Sequence, residues 1–322
     1  VQMANKYGMV KCYFEHGLWS SNQVKDAVTK GLITSEEYRE ITGENFDVAY
    51  LKERISKNKK NKTIRQYIVD SFTDEVFSGN PAAVCILNNP ISDELMQKIA
   101  IENRLVETTF VLKKGNSYGL RWFTAKGEID MCGHALLAAA YVILNFYDKN
   151  KEVIEFDTLD GKITIIKNDD VFEMDFPQYQ LKKIPVTEEM EEAIGAKVTE
   201  AYLGRDLLLV LEDEDTVINL KPDMEKLTHL HGLITHVTAR GSRYDCVARS
   251  FSPKIGTDED PVCGLGHCYI APYWREKLGQ NVLVSRQVSK RGGTVYCKMI
   301  KEGRVRLCGK AALYAEADIY VD

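Results

Sequence analysis

The stretch that decides the fold occurs twice in the sequence. In the first copy, Arg121-Trp-Phe-Thr-Ala-Lys126 precedes an acidic stretch and then Cys132-Gly133-His134, which opens an apolar run. In the second copy, Arg249-Ser-Phe-Ser-Pro-Lys254 precedes another acidic stretch and then Cys263-Gly264-Leu265-Gly266-His267. A single short insertion aligns the two copies. Two matched motifs in the same order indicate an internal duplication.

Each copy has the order strand, turn, glycine, helix. This order leaves free backbone N–H groups and the positive end of the helix dipole at each helix start. Two related halves bring the two helix starts together at a pseudo-twofold interface. We therefore expect Gly133 and Gly264 to bind a carboxylate of a small substrate through their amides, with Cys132 and Cys263 beside it.

Composition limits the class of protein. The 322 residues are 44% hydrophobic and 28% charged, with a net charge of −5. This length predicts about two domains with cores of their own, and the apolar fraction excludes a disordered chain. The acidic balance argues against nucleic acid or an anionic membrane as a partner. The longest apolar run, residues 135–144, is about half the length of a membrane span.

The cysteines and the first residues bear on localisation. Eight cysteines in a chain of this length, with no CxxC pairs among them, predict reduced thiols. Residues 1–6 contain no apolar leader of a secretory signal. We therefore expect a cytoplasmic protein.

Residues 1–50 predict a small helical hairpin. Ser20 with Gln23, and Thr34 with Glu37, have the spacing of capping boxes at the starts of two short amphipathic helices. The segment resembles the short phage-tail proteins of the XkdX type, a resemblance that implies no known chemistry. The residues that carry it are Tyr13-Phe14, Gly17-Leu18-Trp19, Gln23-Val24, Gly31-Leu32-Ile33-Thr34, Glu36-Glu37-Tyr38 and Ile41-Thr42-Gly43.

Strands and helices are mixed from about residue 63 onward. Lys162–Ile166 and Val171–Phe176 predict a hairpin, Ser92 is a candidate helix cap, and Glu188–Ile194 predicts a helix that Gly195 ends. Strands that cluster in hairpins favour an α+β fold over a doubly wound parallel sheet. The expected organisation is the hairpin over 1–50, a basic linker over 51–62, a first half over 63–180 and a second half over 181–322, whose last strands can cross back to the first.

Other motifs give no cofactor or metal site. His229, His231 and His236 lack the supporting spacing of zinc ligands. Gly264-x-Gly266 lacks the third glycine of a dinucleotide site. Arg291-Gly292-Gly293 could cradle an anion, but a tight turn explains it equally well. We therefore predict neither a metal nor a cofactor.

From about residue 63 to the end, the chain resembles the PhzF-like family of phenazine biosynthesis (PhzC/PhzF), which has the diaminopimelate epimerase-like fold. The motifs that carry the resemblance are Asp70-Ser71-Phe72, Phe77-Ser78-Gly79-Asn80-Pro81-Ala82-Ala83-Val84, Val106-Glu107-Thr108-Thr109-Phe110, Arg121-Trp122-Phe123-Thr124, Cys132-Gly133-His134-Ala135, Glu259-Asp260-Pro261-Val262-Cys263-Gly264, His267-Cys268, Ala271-Pro272-Tyr273-Trp274 and Arg291-Gly292-Gly293.

The resemblance implies two pseudo-symmetric α+β domains, each a curved sheet around a central helix, with the active site between them. It also implies a homodimer and a cofactor-independent isomerase, whose best-known family reaction moves a proton across a dihydro-hydroxyanthranilate. The acid/base glutamate of the family matches Glu107, and its cleft histidine and aspartate match His134 and Asp260. A carboxyl group in a partly apolar cleft can both take and give a proton near neutrality. The expected substrate-binding residues are Asn80, Cys132, Gly133, Cys263, Gly264 and Leu265.

Two positions depart from the family pattern. Leu136 stands where the family usually has Thr, and Leu265 where it usually has Ser, followed by Gly266 in place of Ala. Each leucine removes a hydroxyl donor near a helix start, so recognition of the substrate carboxylate is expected to differ. The phenazine substrate itself is not carried over.

Two alternatives stay open. Met131-Cys132-Gly133-His134 also resembles the first thiol motif of proline racemases and diaminopimelate epimerase, and Cys263-Gly264-Leu265-Gly266 resembles the second. A racemase or epimerase with Cys132 and Cys263 on opposite faces of a Cα–H is the first alternative, and it requires one thiolate and one thiol. The second alternative is a non-catalytic binding or assembly protein with a decayed site.

Overall fold

The computed structural model describes residues 6–46, 62–159, 161–301 and 303–321. The chain forms two compact units, one of residues 1–63 with 320–322 and the other of residues 64–319. The predicted basic linker, 51–62, lies outside the described residues except for Lys62.

The N-terminal unit contains α1 (Lys6–Glu15), α2 (Ser21–Thr29) and α3 (Ser35–Thr42). Both predicted capping boxes form: Ser20 N donates to Gln23 Oε1 at 2.8 Å, and Glu37 N donates to Thr34 Oγ1 at 3.1 Å. The helices that they open are α2 and α3. The sequence pattern predicted only these two helices. It missed α1, because the apolar side chains of α1 do not form a single stripe along the helix.

The second unit consists of a mixed sheet with helices packed against it. Its helices are α4 (Asp93–Asn103), α5 (Gly133–Val142), α6 (Glu188–Ile194), α7 (Glu214–Asn219), α8 (Met224–His229) and α9 (His267–Leu278). Its strands are β1 (Thr63–Ser71), β2 (Asn80–Leu87), β3 (Glu107–Lys114), β4 (Ser117–Thr124), β5 (Gly127–Ile129), β6 (Val153–Thr158), β7 (Gly161–Asn168), β8 (Val171–Pro177), β9 (Lys182–Ile184), β10 (Glu200–Leu203), β11 (Leu207–Val210), β12 (Thr235–Arg240), β13 (Cys246–Ser252), β14 (Thr257–Asp260), β15 (Val282–Gln287), β16 (Gly293–Lys301), β17 (Arg304–Gly309) and β18 (Ala311–Tyr320).

The strand pairings repeat along the chain. β1–β2 is antiparallel, β2–β3 parallel and β3–β4 antiparallel, and the same order recurs in β10–β11, β11–β12 and β12–β13. Thr108 lies opposite Phe123 in the first half, and Thr235 lies opposite Phe251 in the second. The two phenylalanines are those of the repeated motif, so this register agrees with the duplication.

The repeated Arg-x-Phe motif makes the same contacts in both halves. The Arg121 guanidinium lies 5.2 Å from the centre of the Phe123 ring and binds both carboxylate oxygens of Glu128. Arg249 lies 5.0 Å from the Phe251 ring and binds both carboxylate oxygens of Glu259. The glutamates belong to the predicted acidic stretches, so the arginine joins β4 to β5 and β13 to β14.

α5 occupies the centre of the main core. Its Ala- and Leu-rich sequence is apolar all round, and every residue except Tyr141 is buried. The end of the chain joins the two halves, since β17 pairs with β8 and β18 pairs with β1. Hairpin-rich strands around central helices give the predicted α+β class. Within the described residues, no helix has the length and apolar character needed to cross a membrane.

Candidate active site

The two Cys-Gly motifs meet at their glycines. A Cβ on Gly133 would lie 3.8 Å from the Cα of Gly264, and a Cβ on Gly264 would lie 3.8 Å from the Cα of Gly133. The ring of Phe72 closes the second glycine from the side, 3.1 Å from such a Cβ. The backbones of the two halves therefore approach each other where the sequence analysis expected the cleft.

The two helix starts are not equivalent. Gly133 is the first residue of α5, as expected, but α9 begins at His267, three residues after Gly264. The intervening residues form a turn in which His267 N donates to Gly264 O and Cys268 N donates to Leu265 O. The expectation that Cys263-Gly264 opens a helix directly is thus wrong, because residues 264–267 form this turn before the helix begins.

Glu107 and His134 come together beside the first helix start. Asn80 and Glu107 begin the neighbouring parallel strands β2 and β3, so their side chains lie at the same end of the sheet. His134, in the first turn of α5, places its Nε2 2.9 Å from Glu107 Oε2. Both side chains are buried, with Glu107 8% and His134 4% exposed.

Asn80 joins this pair to Asp260. Asn80 Nδ2 lies 2.7 Å from Asp260 Oδ1, 3.1 Å from Val262 O and 3.0 Å from His134 Nδ1. A carboxylate and a carbonyl can only accept, which assigns the amide nitrogen to this side of Asn80. Since Asn80 also donates to His134 Nδ1, the proton of the neutral ring lies on Nε2, facing Glu107.

Two buried acceptors remain open at this place. Among the described residues, neither Asn80 Oδ1 nor Glu107 Oε2 has a hydrogen-bond donor. The 2.9 Å contact between Glu107 Oε2 and His134 Nε2 is thus close without being aligned for a hydrogen bond. Unsatisfied buried acceptors carry a desolvation cost that a ligand with N–H or O–H groups relieves.

Burial and mutual charge control the titration of the site. Burial opposes protonation of His134, but the nearby Cys132 and Glu107 outweigh it and raise the pKa of the imidazole well above 6.5. Burial also raises the pKa of Asp260, against the effect of the neighbouring His134. The surroundings therefore raise the pKa of both groups above its ordinary value.

The two cysteines lie at the same centre as protonated thiols. Cys132 Sγ is 3.4 Å from His134 Nδ1, and Cys263 N donates to Gln287 Oε1 at 2.9 Å. Burial raises the pKa of Cys132. Burial and the nearby Asp260 raise that of Cys263 well above 9. The ligand atoms of Glu107, Cys132 and His134 lie within 4.8 Å of one another, so these three could hold a metal ion.

The two leucines that depart from the family pattern have different environments. Leu136 is fully buried in the core. Leu265 lies in the turn before α9, and its backbone N would be 3.7 Å from a Cβ on Gly133. Leu265 therefore adjoins the glycine contact as expected, whereas the side chain of Leu136 is part of the hydrophobic packing of α5.

Two supporting residues escaped the sequence reasoning. Gln287, at the end of β15, donates to Asp260 O at 2.6 Å and accepts from Cys263 N, so it fixes the segment between them. Arg291 binds Asp70 Oδ1 at 2.7 Å and Gly79 O at 2.8 Å, which anchors the loop before Asn80. No sequence signal marks Gln287, while Arg291 lies in the motif interpreted as a tight turn.

Cavity size does not identify this site. A cavity of about 300 Å³ lies against the β7–β8 hairpin, and none of the candidate site residues lines it. The lining includes Asn168, Tyr296, Cys297 and Cys308. Convergent buried polar groups, not open volume, thus define the candidate active site.

Curated proteins match most of this chain. An isomerase of Pseudomonas aeruginosa named as uncharacterized is 41% identical over 253 residues, which cover 79% of this chain and 97% of that protein. The phenazine biosynthesis-like domain-containing protein 2 of mouse is 33% identical, with 79% and 98% covered. The chain thus matches these relatives over nearly their whole length.

Solved structures show the same fold. A phenazine biosynthesis protein of the PhzF family from Enterococcus faecalis superposes with a TM-score of 0.79 at 46% identity, covering 80% of this chain and all of that one. A probable proline racemase from Agrobacterium radiobacter has a TM-score of 0.56 at 11% identity, covering 81% and 94%. The second likeness shows the fold alone, and together they confirm the predicted epimerase-like fold class.

Two family profiles match separate parts of the chain. The profile of uncharacterised phage proteins of the XkdX type matches residues 7–46. The profile described as phenazine biosynthesis-like protein, PhzC-PhzF, matches residues 69–317. Since this second match spans most of the chain, the protein belongs to the PhzC-PhzF family of phenazine biosynthesis-like proteins.

Proposed function

We propose that the protein is a cofactor-independent isomerase that moves a proton on a small carboxylate-bearing substrate, with Glu107 as the general acid/base. The observation that carries the proposal is the buried Glu107 Oε2, which faces His134 Nε2 at 2.9 Å and has no hydrogen-bond donor among the described residues. Relatives named as isomerases support the reaction class. The proposal includes that the protein is a homodimer and that it acts in the cytoplasm.

The proton moves between two carbon atoms of the substrate. Glu107 takes a proton from one carbon, the electron pair of that C–H bond shifts into the adjacent unsaturated system, and Glu107 returns the proton to a second carbon. His134 places its Nε2 2.9 Å from Glu107 Oε2 and so keeps the carboxylate in position. Asp260 acts through Asn80, because it accepts a hydrogen bond from the Asn80 amide nitrogen. The Asn80 Oδ1 atom is then available to accept a hydrogen bond from the substrate.

The amides of Gly133 and Gly264 bind the substrate carboxylate. Gly133 opens the ten-residue α5, where unpaired N–H groups and the helix dipole favour an anion. Gly264 lies against Gly133, since a Cβ on either glycine would be 3.8 Å from the Cα of the other, which is an ordinary van der Waals contact. When the carboxylate is bound between the two glycine amides, the rest of the substrate lies beside Glu107.

The two-thiol alternative is less well supported. A racemase of that kind needs one of its two cysteines as a thiolate at neutral pH. Burial raises the pKa of both Cys132 and Cys263, which keeps both thiols protonated. Glu107 is therefore the preferred base.

Solvent exchange tests the proposal. Incubation in D₂O with a panel of small cyclic and amino-acid carboxylates is followed by NMR. We expect deuterium uptake by at least one compound, its loss in Glu107→Gln, and its retention in Glu102→Gln, a matched change of an exposed glutamate. Exchange that survives Glu107→Gln but is lost in Cys132→Ser or Cys263→Ser selects the two-thiol racemase. An absence of exchange across the panel with the wild type favours the binding or assembly alternative.

A further inference from the structure

Three side chains of the kinds that bind transition metals meet at the start of α5. Glu107, Cys132 and His134 present one carboxylate oxygen, one sulfur and one ring nitrogen within 4.8 Å of one another. All three residues are more than nine-tenths buried. Glu107 Oε2 also has no hydrogen-bond donor among the described residues, so the group holds an open acceptor that a cation would satisfy.

The distances suit a small tetrahedral ion. Glu107 Oε2 lies 2.9 Å from His134 Nε2, and Cys132 Sγ lies 3.9 Å from the same nitrogen. Ligand bonds of zinc imply separations of roughly 3.3–3.7 Å between tetrahedral N, O and S ligands. Small side-chain rotations therefore bring the three atoms to ligand distance.

We propose that Glu107, Cys132 and His134 form a three-ligand site for a thiophilic divalent cation such as Zn²⁺, which inhibits the enzyme by occupying the base. One thiolate and one carboxylate neutralise the two positive charges, and water or a substrate carboxylate takes the fourth position. The thiol proton of Cys132 passes to solvent when the sulfur–metal bond forms. No electron is transferred.

The hydrogen bonds of Asn80 explain why the ion inhibits. His134 carries its proton on Nε2 in the arrangement described above, so ligation through Nε2 moves that proton to Nδ1. Asn80 then has to turn its open Oδ1 towards Nδ1, which breaks its bond to Asp260 Oδ1. The metal-bound arrangement and the proton-transfer arrangement exclude each other.

The second copy of the repeat supplies the matched control. Cys263 corresponds to Cys132, but the ring of His267 binds Cys263 O and Ser285 Oγ. Within the described part of the chain, the residues around Glu107 form the one group of three candidate ligands. A serine at position 263 therefore removes an equally buried thiol without removing a ligand.

Co²⁺ binding to the full-length chain tests the site without any assay of activity. Every sample carries Cys12→Ser, because Cys12 is exposed and lies 3.7 Å from His16 Nδ1, which makes a possible second cobalt site. We expect a near-ultraviolet thiolate-to-cobalt charge-transfer band at one equivalent of Co²⁺. Zn²⁺ should displace the cobalt, and Mg²⁺, which prefers oxygen ligands, should not.

Ligand variants decide the assignment. Cys132→Ser abolishes the band, Cys263→Ser keeps it, and Glu107→Gln weakens the affinity for Co²⁺ at least about tenfold. Circular dichroism confirms the fold of each variant, and Glu107→Gln answers the question if Cys132→Ser does not fold. The proposal is overturned if the parent shows no band, if the band survives Cys132→Ser, or if Glu107→Gln binds Co²⁺ as tightly as the parent. None of these readouts depends on the isomerase proposal.

Discussion

His134 in α5 and His267 in α9 follow the Cys-Gly pair in the two copies of the repeat, yet their surroundings differ. His134 faces the Glu107 carboxylate at 2.9 Å and accepts a hydrogen bond from Asn80 on its other nitrogen. His267 donates from Nδ1 to Cys263 O and accepts from Ser285 Oγ at Nε2. The two rings are opposite tautomers, one turned to a charge and the other to neutral groups.

The difference also appears in their titration. Cys132 and Glu107 raise the pKa of His134 against the effect of burial, whereas burial lowers the pKa of His267 to about 4. Duplication thus provided two buried histidines at related helix starts, and only the first adjoins a carboxylate. We infer that the first half carries the base and its histidine, and that the second contributes Asp260 and the glycine that faces Gly133.

The largest expected effect comes from His134. His134→Gln keeps a polar group at the site but removes the ring nitrogen that faces Glu107, and we expect kcat for substrate exchange to fall about 10²- to 10⁴-fold. His267→Gln should keep kcat within a few-fold. Deuterium-exchange rates of both variants, with their folds checked by circular dichroism, make the comparison. Equal losses in the two variants would contradict the division of roles between the two copies.

His267 should contribute to the pH dependence of stability between pH 4 and 7. Its folded pKa of about 4 lies below its ordinary value of 6.5, so the unfolded chain binds a proton first as the pH falls. This histidine therefore removes up to about 3 kcal/mol of folding free energy between pH 6.5 and 4, and no more below pH 4. Above pH 6.5 both states are neutral and the effect vanishes.

Denaturant unfolding at several pH values measures this effect. In His267→Gln we expect a flatter stability profile over this range, together with a loss of about 1–3 kcal/mol at neutral pH from two incompletely replaced hydrogen bonds. His229→Gln, a change of an exposed histidine, is the control and should keep the slope of the parent. If the slope of unfolding free energy against pH is the same in His267→Gln as in the parent, then His267 does not cause this loss of stability at low pH.

The sequence predicted those parts of the site that local patterns encode. The repeat predicted the meeting of Gly133 and Gly264, because its glycines occur where strand gives way to helix. The resemblance supplied Glu107, His134 and Asp260, which the fold brings around Asn80. Their roles stay predictions until the variants are measured.

Other features depended on contacts that no local pattern contains. Gln287 joins Asp260 to Cys263 across residues far apart in sequence, and any polar residue at the end of β15 looks alike before folding. The later start of α9 depends on whether residues 264–267 form a turn or the first turn of the helix, and hydrophobic periodicity does not decide between the two. The first helix was missed because α1 has no distinct apolar stripe.

The glycine contact should be sensitive on one side only. Gly264→Ala places a methyl group 3.1 Å from the Phe72 ring, and overpacking of this kind costs about 1–3 kcal/mol. Gly133→Ala meets nothing nearer than 3.7 Å, so we expect a change below about 0.5 kcal/mol. Chemical denaturation of both variants measures the difference. Equal destabilisation would show that the two helix starts are equally crowded.

The smallest expected difference concerns the repeated arginines. Arg249 and Arg121 each bind a glutamate through two bonds, but the side chain of Arg249 is 12% exposed and that of Arg121 34%. Arg249 also donates to Leu220 O at 3.0 Å, and Arg121 donates to the exposed Asp93 at 2.7 Å. Lysine keeps the charge and loses the planar two-bond geometry, so Arg249→Lys should cost about 1 kcal/mol more than Arg121→Lys, whose pair is screened by solvent. Unfolding of both variants at low and high salt measures these costs. The prediction is contradicted if Arg121→Lys loses more unfolding free energy than Arg249→Lys, or if its loss depends less on salt.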